Sequence, residues 1–145
     1  MDFQRKEKYS MEDLLRIMKI LRSPDGCPWD KEQNHKSLRT CFLEETYEAV
    51  EAIDTDDSGL LKEELGDVLL QIIFHSELEE EQGRFDFSDV VDGVAKKMVE
   101  RHPHVFGNAV AETSDDVLVN WDAIKKRTKS HKSQSDVLKS VSPAL

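Results

Sequence analysis

Two short clusters of acidic residues, each set within apolar sequence, constrain the fold of this chain more than any other feature. Glu44, Glu45 and Glu48 form the first cluster, and Glu64 and Asp67 form the second. An α-helix turns roughly 100° per residue, so residues three or four positions apart lie on the same side of the helix. Each cluster therefore occupies one helical stripe beside apolar residues that would face a core.

The connection between the two clusters indicates how they are arranged. A polar turn of about six residues, 54–59, separates the two apolar segments, and short connections favour antiparallel neighbouring helices. Four or five carboxylates would then meet in a partly buried place, where they repel one another unless a cation is present or some are protonated. The sequence thus predicts a metal site, and all-oxygen ligands favour Mg2+, with Mn2+ as the alternative.

Two other interpretations of acidic residues were weighed. A solvated helix face is the alternative for the first cluster, and it is our interpretation of the acidic run at Glu77 and 79–81. A di-iron bundle would also gather carboxylates, but it uses Glu-x-x-His pairs. In this chain the residue three positions after each glutamate of the pair is Glu48 or Asp67, not a histidine.

The apolar periodicity predicts an all-α helical bundle, because no segment alternates as a strand does. Ser10 and Asp13 have the spacing of a capping box that opens the first helix. We expect this helix to stop near 23–26, a loop to follow at 27–30, and a capping residue, Asp86 or Ser88, to open the fourth helix. The other expected helices cover 37–53, 60–81 and 114–127, and the fourth ends at His102–Pro103.

Length and composition exclude several classes of protein. The 145 residues amount to one domain, which we place at 1–127, followed by a polar tail or linker at 128–145. The net charge of −10 argues against a nucleic-acid-binding protein. No apolar run approaches the ~20 residues of a membrane span, and the N-terminus has no secretory signal. Two cysteines without a CxxC pair fit a reduced, cytoplasmic protein.

Basic and aromatic residues in the second half have the spacing of ligand contacts. Lys97 and Arg101 lie four residues apart and would clamp phosphate oxygens, or else form a solubilising stripe. Trp121 and Lys125 have the same spacing. They would stack on a base and contact phosphate, or else be a core tryptophan and a surface lysine.

A loop near the N-terminus offers a further candidate. Trp29, with Asp30 and Gln33 close in sequence, can stack on a nucleobase and hydrogen-bond to its edge. The alternative is that Trp29 plugs one end of the bundle.

Together these segments resemble the MazG family of nucleoside triphosphate pyrophosphohydrolases. The resemblance covers about residues 10–127 and implies a helical bundle that forms at least a dimer. It also implies Mg2+-dependent hydrolysis of an NTP or dNTP to the monophosphate and pyrophosphate. The matching segments are Gly26-Cys27-Pro28-Trp29-Asp30-Lys31-Glu32-Gln33, Leu43-Glu44-Glu45-Thr46-Tyr47-Glu48, Glu63-Glu64-Leu65-Gly66-Asp67-Val68-Leu69-Leu70-Gln71, Gly83-Arg84-Phe85-Asp86-Phe87 and Arg101-His102-Pro103-His104-Val105-Phe106-Gly107.

The resemblance also assigns roles to the residues already singled out. By it, Glu44 is a further metal ligand or the group that orients and deprotonates water. The implied metal ligands are Glu45, Glu48, Glu64 and Asp67, and the implied nucleotide contacts are Lys97, Arg101, Trp121 and Lys125.

Two departures from the family pattern keep a second function open. Asn34 replaces a threonine that many relatives carry, and Glu100 stands where many have a second basic residue. The tail also resembles the linker that precedes a second copy of the domain in longer members. The alternative to the enzyme is therefore a non-catalytic helical module that binds nucleotide or serves only in oligomerisation.

Overall fold

The computed structural model describes residues 3–128, and this part of the chain is helical without a strand. The all-α prediction is therefore confirmed. The helices are α1 (Met11–Arg22), α2 (Pro28–Glu32), α3 (His35–Asp54), α4 (Ser58–Glu81), α5 (Phe87–Glu100), α6 (Pro103–Phe106) and α7 (Ser114–Thr128).

The chain divides into two compact units, Met1–Phe87 and Ser88–Leu145. The first unit holds α1 to α4 and the opening residue of α5. The second holds the rest of α5 with α6 and α7. From residue 129 onward, the predicted tail lies outside the described residues, and its boundary stays a prediction.

The core of the first unit forms where α1, α3 and α4 meet. Burying a large aliphatic or aromatic side chain contributes about 1.5–3 kcal/mol to stability. A few such residues therefore stabilise these helices more than their intrinsic helix preference does. The buried residues are Met18, Leu38, Ile73, Phe74 and Leu78. Partly buried leucines of α1 and α4 and the phenylalanine that opens α5 pack around them.

Ion pairs fasten α1 to the acidic end of α4. Lys19 Nζ lies 2.8 Å from Glu77 Oε2 and 2.5 Å from Glu80 Oε2. Arg22 donates from Nε and Nη2 to the two carboxylate oxygens of Glu81, at 2.5 and 3.0 Å. Our interpretation of this acidic run as a merely solvated face was therefore wrong, because Glu77, Glu80 and Glu81 are counter-charges of α1.

Two short helices were absent from the sequence-based expectation. The segment Cys27–Asp30, expected to be a loop, lies largely within α2, and α6 follows directly after His102. In both cases a proline occupies the first helical position, where its missing N–H costs nothing and its fixed φ favours a helical turn. We expected proline to end a helix at His102–Pro103, and the structure shows that it also begins the next one.

Side-chain caps set where the helices begin. The predicted capping box of Ser10 and Asp13 is present at the start of α1. Asn34 and Ser37 form a second capping box, so α3 starts at His35, two residues before the predicted start. α5 starts at Phe87, which leaves Asp86 just before the helix and Ser88 inside it.

The turn between α3 and α4 fixes how these helices pair. It contains only Thr55, Asp56 and Asp57, and Asp56 adopts a left-handed φ of 52°. Asp57 caps α4 by accepting a hydrogen bond from the backbone N–H of Leu60 at 3.0 Å. The start of α3 consequently meets the end of α4, as the predicted antiparallel arrangement requires.

Replacing the α4 cap should lower stability. Asp57→Ala removes the acceptor for the Leu60 N–H and should reduce the free energy of unfolding by about 1 kcal/mol. Urea denaturation followed by circular dichroism measures the change. Asp57→Asn, which keeps the acceptor, should unfold like the parent; equal losses in both variants would contradict this role for the cap.

Candidate metal centre

Three carboxylates from α3 and α4 converge where the sequence predicted a metal site. Glu45 and Glu48 come from α3, and Glu64 comes from α4. One oxygen of each lies within 4.8 Å of the others. Carboxylates at such separations can share one hard cation, because each can offer an oxygen to the same ion.

The other two predicted residues differ in their placement. Asp67 is half-buried on α4, and its negative charge contributes to raising the pKa of both Glu45 and Glu64, so it belongs to the same electrostatic cluster. Glu44 is exposed on α3 and is not one of the three converging carboxylates.

The cluster is strained electrostatically. Only 7% of the surface of Glu64 is exposed. Removal from water, followed by a hydrogen-bonding contact with Glu48, raises the pKa of Glu64 from the ordinary 4.5 to about 7. The pKa of Glu45 is raised as well, chiefly by burial and then by the charge of Asp67.

The buried oxygens of this cluster fit a divalent cation. Oε2 of Glu45 and Oε2 of Glu64 are both buried and have no hydrogen-bond partner among residues 3–128. An unpaired buried anion is very costly, and a cation is the partner that relieves several at once. A donor set made of carboxylate oxygens suits Mg2+ or Mn2+ better than zinc.

Gln71 is a polar residue of α4 that lies in a segment matching the family but received no role in our sequence reasoning. It is buried on α4, and its Oε1 atom lacks a hydrogen-bond partner among the described residues. It follows Asp67 by four residues and Glu64 by seven, so all three share one helix stripe. That spacing, in an otherwise apolar run, was the signal that could have identified it.

The predicted contacts around α2 are partly engaged within the protein. Gln33 donates from Nε2 to the backbone oxygen of Trp29 at 2.9 Å and accepts from Ser37 Oγ at 2.9 Å. The backbone oxygen of Asp30 accepts a hydrogen bond from Arg22. Trp29 is 56% exposed, so it does not plug the end of the bundle.

The second unit gathers the other predicted contacts around the end of α5 and α7. Arg101 and Lys125 are buried, whereas Lys97 is half-buried. Lys125 is therefore not the surface lysine of our alternative interpretation. Trp121 packs edge-on against His102, with ring centroids 5.2 Å apart, and its Nε1 has no hydrogen-bond partner among the described residues.

Comparison with known proteins identifies the family. The family model described as the MazG nucleotide pyrophosphohydrolase domain matches residues 33–106, a segment that includes all five predicted carboxylates. The chain belongs to the MazG family. The match also includes Lys97 and Arg101, whereas Trp29, Trp121 and Lys125 lie outside it.

Individual relatives support this membership. The chain is 43% identical over 136 residues to the nucleoside triphosphate pyrophosphohydrolase of Escherichia coli and 49% identical over 129 residues to the uncharacterized protein YabN of Bacillus subtilis. These alignments cover 93% and 89% of this chain but only 52% and 26% of the respective relatives. The chain thus spans about half, or a quarter, of the length of these proteins.

A solved structure confirms the fold class. A MazG-related protein from Thermotoga maritima superimposes with a TM-score of 0.66 at 26% identity, over 79% of this chain and 98% of that protein. Across residues 3–128, no helix combines the length and the apolar character that crossing a membrane requires.

Charge removal should weaken metal binding at this centre selectively. We expect Glu48→Gln and Glu64→Gln each to lower the affinity for Mn2+, measured by electron paramagnetic resonance, by roughly tenfold or more, since affinity follows the count of anionic ligands. Glu63→Gln is the matched control, because Glu63 is exposed and adjacent to the cluster on α4. Equal losses in all three variants would show a diffuse charge effect rather than a site.

The raised pKa of Glu64 predicts an unusual pH dependence of stability. In the metal-free protein its folded pKa, about 7, exceeds the ordinary 4.5, so its contribution to stability is complete below the ordinary value. That contribution is lost as the pH rises through about 7.

Thermal denaturation in EDTA should therefore show the parent losing stability between about pH 4.5 and about pH 7 relative to Glu64→Gln, which cannot titrate there. Saturating Mg2+ should reverse the trend, because binding requires the ionised carboxylate. Parallel pH profiles for parent and variant in EDTA would contradict the raised pKa.

Proposed function

We propose that this chain hydrolyses nucleoside triphosphates between the α- and β-phosphates and releases a nucleoside monophosphate and pyrophosphate. The observation that carries this proposal is the set of three converging carboxylates, two of them with an unpaired buried oxygen, in a member of the MazG family. The names of relatives such as the E. coli nucleoside triphosphate pyrophosphohydrolase support the same activity.

The acidic cluster would hold Mg2+, with Mn2+ as the alternative. When bound, the ion neutralises charge on the phosphate oxygens and lowers the pKa of a coordinated water. The proposed ligands are Glu45, Glu48, Glu64 and Asp67, on the two helices that form the site. The burial of Glu64 and the partial burial of Glu45 and Asp67 strengthen their attraction to the ion, because a charge interaction is stronger away from water.

Glu44 has a different proposed role, because it is exposed at the edge of the cluster. We assign it to accepting the proton of the attacking water and holding that water in line. The water oxygen forms a bond to the α-phosphorus, the bond from that phosphorus to the bridging oxygen breaks, and pyrophosphate leaves with the electron pair.

Aromatic and basic residues would bind the rest of the nucleotide. The exposed ring of Trp29 is available to stack on a base, while the hydrogen bonds of Gln33 and the backbone of Asp30 fix the short helix that carries it. The proposed contacts in the second unit are Lys97, Arg101, Trp121 and Lys125. Lys97, on α5, and Arg101, directly after it, would bind phosphate oxygens.

We also propose that the protein forms a homo-oligomer. Leu43, Tyr47, Val50 and Ile53 lie three or four residues apart on α3 and are all exposed, Tyr47 by as much as 71%. A stripe of large apolar residues on a helix is stable in water only when another surface covers it, and a second copy of α3 would do so. An oligomer that acts in the cytoplasm on free nucleotides, without nucleic acid or a membrane, is consistent with the net charge of −10.

Product analysis tests this function directly. The purified chain should convert at least one of the eight common NTPs and dNTPs, with Mg2+, to the monophosphate and pyrophosphate. Glu48→Ala should lower the rate by about a hundredfold or more, because it removes a group that holds the charge-neutralising ion. Glu63→Gln, beside the cluster but outside it, should keep the parent rate.

Each other outcome has a defined meaning. Release of orthophosphate and a diphosphate would contradict the proposed position of attack. Nucleotide-dependent thermal stabilisation without turnover would favour the non-catalytic module.

A further inference from the structure

A second candidate site lies on the first unit, away from the acidic cluster. It is a pocket of about 490 Å³ beside the start of α3 and the end of α4, lined by three rings, two cations and an apolar side chain. We call it the histidine pocket, and the residues that matter here are His35, Lys36, Arg39, Phe42, Leu43 and His75. Its volume lies within the usual range of ~300–1,000 Å³ for small-molecule sites.

The pocket and the metal centre occupy different sides of α3. Arg39 and Glu48 are nine residues apart, so their side chains project in roughly opposite directions from the helix axis. No carboxylate lines the pocket. One small ligand at the acidic cluster therefore does not account for the features of the pocket.

Two imidazole rings form a flat wall. His35 and His75 lie edge to edge, with ring centroids 5.0 Å apart and planes that differ by only 2°. The ring of Phe42 lies against His75, with centroids 5.4 Å apart and planes that differ by 27°. Such a wall favours a planar ligand, because a flat ring makes the most contact with it.

The two histidines are held in place by contacts with each other and with α4. His35 Nδ1 lies 2.7 Å from His75 Nδ1, and His35 Nε2 lies 3.1 Å from Glu79 Oε1. Burial, followed by the charge of His35, lowers the pKa of His75. These contacts fix the orientation of both imidazole rings at the pocket.

Two positive charges beside the pocket are also available. Lys36 and Arg39 are exposed and lie one turn apart on α3. Neither forms an ion pair within residues 3–128. In a chain with a net charge of −10, two unpaired cations next to an apolar pocket constitute a local anion-attracting feature.

We propose that the histidine pocket binds a planar aromatic anion. The ring of the ligand lies against the flat wall of His35 and His75. The phosphate or carboxylate of the ligand pairs with Lys36 and Arg39. A nucleotide and a free aromatic acid both carry this combination of groups.

A second copy of the chain is a weaker explanation of the same pocket. Leu43 belongs both to the pocket and to the apolar stripe of α3, so the two surfaces are continuous. An apolar side chain from another copy would nevertheless desolvate two cations without a counter-charge.

Nuclear magnetic resonance of the full chain with labelled histidines tests the proposal. Adenosine 5′-monophosphate and 4-hydroxybenzoate serve as probes, in EDTA so that no metal holds the phosphate. At least one probe should shift the His35 and His75 resonances saturably. Adenosine, which lacks the anion, should bind roughly tenfold more weakly than the monophosphate.

Variants assign the binding to the pocket. Lys36→Ala and Arg39→Ala should each weaken the binding probe roughly tenfold, whereas Lys62→Ala, the loss of an exposed lysine on α4, should not. Binding should persist in Glu48→Ala, which separates this site from the proposed catalytic one. Binding of the monophosphate alone identifies the nucleotide as the source, and binding of 4-hydroxybenzoate alone identifies an aromatic acid.

Three results would overturn the proposal. The first is the absence of saturable shifts at His35 and His75 with both probes. The second is equal weakening by Lys36→Ala, Arg39→Ala and Lys62→Ala. The third is dissociation of an oligomer in Lys36→Ala or Arg39→Ala, measured by sedimentation velocity, because it would assign the pocket to a subunit contact.

Discussion

The structure of the first unit depends on holding mutually repelling carboxylates together between α3 and α4. The three-residue turn and the Asp57 cap set the pairing of these helices, and the buried side chains below them supply the energy of association. The repulsion is partly relieved by protonation, which is why the pKa of Glu64 rises to about 7. A cation would relieve the remainder and turn an unfavourable arrangement into a binding site.

Much of this arrangement could be predicted from the sequence because it is governed by local spacing. Residues three or four apart share a helix face whatever the rest of the fold does, so Glu45 and Glu48 were grouped correctly. The short polar turn then required Glu64 to approach them. Glu44 was grouped with them by the same spacing but is not one of the three converging carboxylates, and its role stays a prediction.

The features that escaped prediction depend on contacts between residues distant in sequence, or on a residue type that can indicate either the end or the start of a helix. His35 and His75 are forty positions apart and meet only because the helices pair in one register. Proline both ends and begins helices, so α2 and α6 were read as loop and terminator. The acidic end of α4 looked like a solvated surface because its partners, Lys19 and Arg22, lie on another helix.

The ion pairs between α1 and α4 make the first unit unequally sensitive to ionic strength. Lys19 and Glu80 are largely accessible to solvent, and salt at physiological concentration screens such charges over about 8 Å. The repulsion around Glu64 is sheltered from the same ions by its burial. Raising the salt concentration should therefore loosen the attachment of α1 while leaving the tension between α3 and α4 nearly unchanged, so the two would respond to the ionic environment separately.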